Sequence, residues 1–214
     1  MTRVKICGIS DVSHVGAIAE AGADLIGVVF APSPRRVSPE KAKGIAATAR
    51  ERGLAVVGVF VNTPSAEVNR TADECGLDWV QLSGDEDVDC CRQVHQPLIK
   101  ALHIAPDWDE ARLLAELGGY QRKLRHHPPI YLLDTHIEAK YGGTGQRFAL
   151  EIARRAAQSY PVIIAGGLDP ANVKRVVAEL RPWGVDVSSG VETEGVKDIA
   201  KIKAFIKEAK GLKP

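Results

Sequence analysis

The chain has 214 residues, of which 45% are hydrophobic and 26% are charged, and its formal net charge is +1. This balance is typical of a globular protein with a sizeable core, and it gives no support for a nucleic-acid or other polyanion partner. No apolar run approaches the roughly 20 residues that span a membrane, and the opening Met1-Thr2-Arg3 leaves no room for a signal peptide before the first strand. The four cysteines, at positions 7, 75, 90 and 91, lack the spacing of a metal site or a disulfide framework, so we expect a reducing, cytoplasmic setting.

Short apolar stretches rich in β-branched residues recur along the chain and predict eight strands. In chain order they are 4–9, 25–30, 55–61, 79–82, 98–104, 130–134, 161–165 and 185–188. The stretches between them show helical apolar spacing or strong helix formers, at 12–21, 39–52, 65–75, 87–94, 108–117, 148–158, 170–180 and 198–210. Eight β-then-α units without a linker predict an α/β fold, a single (β/α)8 TIM barrel over residues 1–214. A doubly wound sheet is the alternative, although it seldom uses eight such even units.

Local signals mark three helix starts and one loop. At each start a capping side chain stands beside a first-turn proline, in Ser38-Pro39, Thr63-Pro64 and Asp169-Pro170. The basic segment 121–129 is predicted to be a solvated loop on the far side of the barrel. Its two histidines lack nearby carboxylates or cysteines, so we expect no metal there.

In a barrel of this kind, the chemistry lies at the carboxyl ends of the strands and in the loops that follow them. Reading those ends in chain order gives a run of polar residues and glycines. They are Cys7, Gly8, Arg35, Arg36, Asn62, Gln81, Ser83, Gly84, His103, Asp134, Thr135, His136, Gly166, Gly167, Ser188, Ser189 and Gly190. A barrel with only a structural role would not need so many polar residues on one rim, so this pattern predicts an enzyme.

The loops after the seventh and eighth strands predict a phosphate site. Gly166 and Gly167 follow the seventh strand, and Ser188, Ser189 and Gly190 follow the eighth. Glycine lets the backbone approach a ligand, and barrels commonly bind phosphate with N–H groups of these two loops. Tight turns are the alternative role for these glycines.

A third glycine run, Gly142-Gly143-Thr144-Gly145, follows the sixth strand. It is longer than a minimal connection between strand and helix. The run predicts a mobile lid over the site, with an ordinary flexible connection as the alternative.

Cys7 and Asp134 are the candidate base and acid. A free cysteine is often only apolar filler, but a thiol near positive charge can become a thiolate and act as a nucleophile or a base. Asp134, at the end of the sixth strand, can be held protonated as a general acid when substrate desolvates it. His136 and His103 are rivals for these roles, although a histidine at a loop start is more often a solvated bystander.

Lys5 lies on the same face of the first strand as Cys7, because residues two apart in a strand share a face. If Cys7 points into the barrel mouth, the Lys5 ammonium lies deeper inside and needs an anionic partner. The first and eighth strands are neighbours in a closed barrel. The sequence therefore predicts that Lys5 pairs with Asp186 or shares a polar network with it.

At these residues the chain resembles the phosphoribosylanthranilate isomerase family of tryptophan biosynthesis, along essentially its whole length. The resemblance rests on the motifs VKICGI at 4–9, GAD at 22–24 before GVVF at 27–30, SPRRVS at 33–38, VGVFVN at 57–62, VQL at 80–82, LLDT at 132–135, GGTG at 142–145, AGGL at 165–168 and VDVSSGVE at 185–192. It implies a (β/α)8 fold and an Amadori rearrangement of N-(5-phosphoribosyl)anthranilate to 1-(2-carboxyphenylamino)-1-deoxyribulose 5-phosphate, without cofactor or metal.

The resemblance also implies residue roles. Asp134 would be the acid that protonates the ribose ring oxygen, and Cys7 the base that removes the C2′ proton. Arg35, rather than the neighbouring Arg36, matches the family arginine that contacts the anthranilate group. Asp186 would support the ribose end of the site, and the two glycine-rich loops would hold the phosphate.

The chain departs from the family pattern at two places. Ser83 stands where the family commonly has a histidine, and Ala149-Leu150 stands where it commonly has Asp-Trp. Neither place carries the implied acid or base, so activity is not contradicted, but substrate fit or lid behaviour could differ.

Two other functions stay open at this point. A related or bifunctional phosphoribosyl isomerase of histidine biosynthesis generally uses two aspartates and two phosphate sites, whereas this chain offers Cys7 and one evident phosphate half-site. A non-catalytic phosphosugar-binding barrel would not need Cys7, Arg35 and Asp134 together. The expected partner is a small phosphoribosyl compound, and no helix face has an apolar stripe strong enough to choose between monomer and homodimer.

Overall fold

The computed structural model describes residues 1–105, 107–134 and 144–211, and for 144–150 the backbone alone. Eight parallel strands pair in sequence order and close into a barrel, with the first strand beside the eighth. They are β1 (Arg3–Cys7), β2 (Leu25–Val29), β3 (Ala55–Phe60), β4 (Trp79–Leu82), β5 (Leu98–His103), β6 (Ile130–Asp134), β7 (Val162–Ala165) and β8 (Gly184–Val187). The (β/α)8 TIM barrel predicted from the sequence is confirmed.

A helix follows each strand and lies on the outside of the barrel. The helices are α1 (Ser13–Glu20), α2 (Pro39–Glu51), α3 (Ser65–Cys75), α4 (Val88–Arg92), α5 (Glu110–Lys123), α6 (Thr144–Ser159), α7 (Val173–Leu180) and α8 (Ile199–Lys210). Between β8 and α8 the chain adds a 3₁₀ turn, Ser189–Val191, and a short hairpin of β9 (Glu192–Thr193) and β10 (Val196–Lys197). None of the helices in the described ranges is both long enough and apolar enough to cross a membrane.

The strands are buried on both faces, which explains why they read as nearly continuous apolar runs. One set of side chains fills the barrel interior, and a larger set packs against the helices. Trp79 and Trp183 close the amino-terminal end of the barrel with ring centroids 6.2 Å apart, and the Arg3 guanidinium lies 4.5 Å from the Trp183 ring. The closed bottom leaves the carboxyl ends of the strands as the open face.

Every predicted strand is confirmed to within two residues at each end, whereas some helix ends differ. Helix α5 continues to Lys123, six residues beyond its predicted end, so the first part of the basic segment is helical and not loop. Packing of Leu113 and Leu117 against the core outweighs the low helix propensity of Gly118 and Gly119. Helix α6 begins four residues earlier than predicted.

The predicted cap at Ser38 is confirmed, because its side chain accepts a hydrogen bond from the Lys41 N–H. The other two are wrong. Thr63 donates its hydroxyl to a nearby carbonyl and does not cap α3. Asp169 accepts hydrogen bonds from two N–H groups of the turn that precedes Val173. It therefore stabilises that turn and does not cap the first turn of α7.

Candidate active site

A cavity of about 340 Å³ opens at the carboxyl ends of the strands. Its walls come from the ends of β4 to β8 and the loops that follow. Among the lining residues are Gln81, Ser83, His103, Asp134, Gly166, Gly167, Asp186, Ser188, Ser189 and Gly190. The fold therefore brings most of the polar rim residues of these strands into one space.

The loops after β7 and β8 form one wall of this cavity and pack against each other. Gly166 and Gly167 have φ angles of 89° and 65°, a region that strongly favours glycine. A Cβ at Gly190 would overlap the carbonyl of Leu168, so the two loops can meet only because position 190 has no side chain. Asn172 holds the first loop by donating from Nδ2 to the Gly167 carbonyl at 2.8 Å. Two glycine-rich backbone segments thus border the same cavity.

Lys5 and Asp186 form the buried ion pair that strand alternation predicted. They are register partners across the β1–β8 seam, and Lys5 Nζ lies 3.0 Å from Asp186 Oδ1. The Lys5 side chain is only 1% exposed. Burial acts to lower the pKa of Lys5, but Asp186 and Cys7 outweigh it and the pKa is raised, so the ammonium stays charged.

The Cys7 thiol is buried beside this pair, at the end of β1. Burial raises the pKa of the thiol, and the positive charges of Lys5 and Lys197 act against that rise. A Cβ at Gly27 on the adjacent strand would lie 2.8 Å from Cys7 Sγ and 3.1 Å from Lys5 Nζ. The absence of a side chain at Gly27 therefore makes the room in which the thiol and the ammonium meet.

Arg35, in the loop after β2, is held by a carboxylate from the hairpin after β8. Its Nε and Nη2 donate to the two Glu192 oxygens at 2.7 and 2.6 Å, and Lys197 Nζ lies 2.6 Å from the same carboxylate. Hydrogen bonds from Arg35, followed by those from Lys197, lower the pKa of Glu192 to about 2. The Arg35 stem runs over Gly8, where a Cβ would lie 2.5 Å from Cδ. Glu192 and Lys197 are not among the predicted site residues.

Arg36 has a different environment, which separates it from Arg35. Its backbone bridges to Val29, and it borders another cavity together with Phe30, Phe60 and Glu67. Of the two arginines, Arg35 is therefore the one that lies against Gly8, next to Cys7.

Asp134 ends β6 and contacts His103, its register partner on β5. His103 Nδ1 lies 3.6 Å from Asp134 Oδ2, and His103 Nε2 lies 2.9 Å from the Ser83 carbonyl oxygen. The Asp134 carboxylate, ahead of the Ser83 carbonyl, raises the pKa of His103 to about 8. The His103 side chain is 60% exposed and therefore solvated, but it also contacts Asp134 and the Ser83 carbonyl.

The substituted position Ser83 belongs to the same wall. Its hydroxyl oxygen accepts a hydrogen bond from Gln81 Nε2 at 2.9 Å. His136, the other candidate acid or base, lies outside the described residues, as do Gly142 and Gly143 of the predicted lid. Thr144 and Gly145 form the start of α6.

Comparison with known proteins adds an independent observation. A family model described as N-(5'-phosphoribosyl)anthranilate (PRA) isomerase matches residues 4–208. The N-(5'-phosphoribosyl)anthranilate isomerase of Dehalococcoides mccartyi is 44% identical over 212 residues, which make up 98% of this chain and 96% of that protein.

Solved structures give the same result. One contains monomers of the dimeric phosphoribosylanthranilate isomerase of Thermotoga maritima, and another shows phosphoribosyl anthranilate isomerase in complex with reduced 1-(o-carboxyphenylamino)-1-deoxyribulose 5-phosphate. Each is 35% identical to this chain with a TM-score of 0.83, and each match covers 99% of this chain and 100% of the other. A dimer is one of the two assembly states that the sequence leaves open.

Proposed function

The chain belongs to the N-(5'-phosphoribosyl)anthranilate isomerase family, and we propose that it catalyses the isomerisation for which the family is named, with Asp134 as acid and Cys7 as base. The two residues stand three strands apart around the barrel, on β6 and β1. A sugar phosphate bound between them can receive a proton from Asp134 at its ring oxygen and lose the C2′ proton to Cys7.

The observation that carries this proposal is the common cavity of Asp134, Asp186 and the glycine-rich loops after β7 and β8. Asp186 joins that cavity to Cys7, because its partner Lys5 is the ammonium beside the thiol. An acid, an anion-binding wall and the polar neighbours of a base are thus assembled on one face of the barrel. A barrel that only bound a phosphosugar would not need Cys7 and Lys5 beneath the rim.

The proposed reaction uses two proton transfers. Asp134 gives a proton to the ribose ring oxygen while the C1′–O bond breaks, and the nitrogen lone pair forms the C1′=N bond of a protonated Schiff base. The Cys7 thiolate then removes the C2′ proton. The C–H electrons form a C1′=C2′ bond, and the C1′=N π electrons return to nitrogen, which gives an enolamine. The enolamine moves its hydroxyl proton to C1′ and becomes the ketone, so the product is an isomer of the substrate.

Two groups of contacts would hold the substrate. Backbone N–H groups of Gly166, Gly167, Ser189 and Gly190 and the Ser188 hydroxyl suit a phosphate, because they border the cavity without side chains that would block it. Arg35 suits the anthranilate carboxylate. A guanidinium has five N–H donors, and the pair with Glu192 uses two of them.

The direct test is single-turnover conversion of freshly generated phosphoribosylanthranilate by the purified protein, followed by the loss of anthranilate fluorescence. We expect complete conversion without added metal or cofactor. Failure of the wild-type protein to turn over substrate, while it still binds a reduced product analogue, would favour the phosphosugar-binding alternative.

A further inference from the structure

The His103 imidazole lies between the Ser83 carbonyl oxygen and the Asp134 carboxylate. Nε2 is 2.9 Å from the Ser83 carbonyl oxygen, and Nδ1 is 3.6 Å from Asp134 Oδ2. Because a carbonyl oxygen only accepts, a hydrogen on Nε2 keeps this contact favourable whether the ring is neutral or charged. Nδ1 is then the nitrogen that gains or loses a proton, and it is the one that faces Asp134.

The charges around the ring favour holding that proton near neutral pH. Asp134 on β6 and the Ser83 carbonyl after β4 raise the pKa of His103 to about 8, against the opposing effects of burial and of Lys100 on β5. The exposed edge of the imidazole, with 60% of the side chain accessible, connects it to solvent.

A carboxyl group with an ordinary pKa of about 4 is ionised at neutral pH and has no proton to give. Two coupled groups that share a proton behave differently, because the pair retains that proton until the higher of the two macroscopic pKa values is passed. His103 and Asp134 are register partners on neighbouring strands, so their backbones fix this pairing.

We propose that His103 is a positioning residue that supplies Asp134 with the proton it uses as general acid. This inference rests on the proposed function, in which Asp134 protonates the ribose ring oxygen. The proton passes from His103 Nδ1 to Asp134 Oδ2, and from there to the ring oxygen as the C1′–O bond breaks. The neutral imidazole then takes a proton from a hydronium ion or a buffer acid in the solvent.

The 3.6 Å separation is longer than a hydrogen bond, so the transfer requires the two groups to approach. Catalytic hydrogen bonds are often long in ligand-free enzymes and tighten when substrate binds. Substrate in the cavity shields Asp134 from water and strengthens its attraction for the imidazolium.

The test compares the pH dependence of kcat/KM for the wild type and for His103→Asn, whose side-chain amide takes the place of Nδ1 but does not titrate. We expect the ratio of wild-type to variant kcat/KM to grow by about tenfold per pH unit between about pH 6 and about pH 8, and to level off above that. Taking the ratio cancels the titration of Cys7, which is common to both proteins. The matched control is His126→Asn, an exposed histidine before β6, whose ratio to wild type should stay near one. A His103→Asn ratio that does not change with pH would show that the side chain only fills space, and would overturn the proposal.

A second variant tests proton supply without relying on a pH profile. Added imidazole should raise the kcat/KM of His103→Ala at least about fivefold. Imidazoles that hold no proton at the assay pH should raise it less. Absence of rescue would count against proton supply. Asp134→Asn is measured in parallel: if it retains wild-type activity, the assignment of Asp134 as acid fails. If it is inactive while the His103→Asn ratio is flat, the inference alone fails.

Discussion

Arg35 and Glu192 are joined by two hydrogen bonds, so that the loop after β2 is fastened to the hairpin after β8. Lys197 holds the same carboxylate from within the hairpin, and it also donates to the Ser188 carbonyl. Arg35 is therefore fixed in place by the same segment that borders the glycine-rich loop after β8. Under the proposed binding roles, this contact would couple the two ends of the substrate site.

Substituting Glu192→Gln should remove a pH-dependent part of the stability. The pKa of Glu192 is lowered from 4.5 to about 2 by Arg35 and Lys197, so its contribution is complete above about pH 4.5 and is lost as the pH falls through about 2. Urea denaturation at a series of pH values should show the largest difference between wild type and variant near neutrality and a vanishing difference near pH 2. A difference that is the same at every pH would contradict this assignment. We also expect KM to rise in the variant, because Arg35 loses its anchor.

Cys7→Ala and Asp134→Asn should each lower kcat by about 10²- to 10⁴-fold with the fold intact. The reason is that each removes the group that moves one of the two protons. Single-turnover fluorescence measures the rate, and circular dichroism with thermal unfolding checks the fold. Cys90→Ala, at a half-buried thiol outside the described cavity, is the matched control and should keep its activity. A wild-type rate in either of the first two variants would remove that residue from its role.

The activity of the wild type should increase with pH through the neutral range. Burial raises the pKa of the Cys7 thiol, so the thiolate is the minor form at neutral pH and its fraction grows as the pH rises. Lys5→Met removes the ammonium that opposes this rise, and should move the alkaline part of the kcat/KM profile to higher pH. A profile that does not move would show that Lys5 does not act on the thiol.

Lys5→Met should also cost about 3–5 kcal/mol in the free energy of unfolding, because it leaves the buried Asp186 charge without its partner. The double variant Lys5→Met/Asp186→Leu should recover much of this loss, since no uncompensated charge remains. It should not recover activity. Urea denaturation of the two variants decides the point: equal stability of single and double variants would contradict the uncompensated-charge explanation.

Gly27→Ala should reduce activity strongly, because the added methyl group would come within 2.8 Å of Cys7 Sγ and 3.1 Å of Lys5 Nζ. Gly44→Ala is the control, because a Cβ at this exposed position of α2 meets nothing within 4 Å. That substitution should stabilise the protein by about 0.5–1 kcal/mol and leave kcat unchanged. Equal kcat in the two variants would show that the room at Gly27 is not needed for catalysis.

The barrel and the pairing of β1 with β8 could be predicted because both follow from regular patterns in the sequence. Residue alternation placed Lys5 beside Cys7 on one face, and closure of eight units placed β8 beside β1, so the pair with Asp186 needed no knowledge of loops. The strand ends were equally accessible, because glycines and polar residues interrupt each apolar run.

The remaining site contacts depend on information that one sequence does not display. The contact of His103 with Asp134 depends on the register of β5 against β6 and on the path of the loop that carries the Ser83 carbonyl. Glu192 reaches Arg35 only because a two-residue hairpin turns it toward the loop after β2, and strands this short leave no periodic pattern. The caps predicted at Thr63 and Asp169 proved wrong for a different reason, since a side chain that can cap a helix can also bond within its own turn.

The β1–β8 seam also sets when the site exists during synthesis. Lys5 and Asp186 are 181 residues apart in the chain, so the thiol beside Lys5 is synthesised long before the carboxylate that balances the Lys5 charge. A nascent chain with seven complete βα units contains the thiol but lacks Asp186 and the glycine-rich loop after β8. Contacts between residues this distant in sequence raise the contact order of a fold, which slows folding. The Cys7 thiol therefore acquires its electrostatic surroundings only after β8 has been made, and a shorter chain lacks the wall that β8 and its loop give to the cavity.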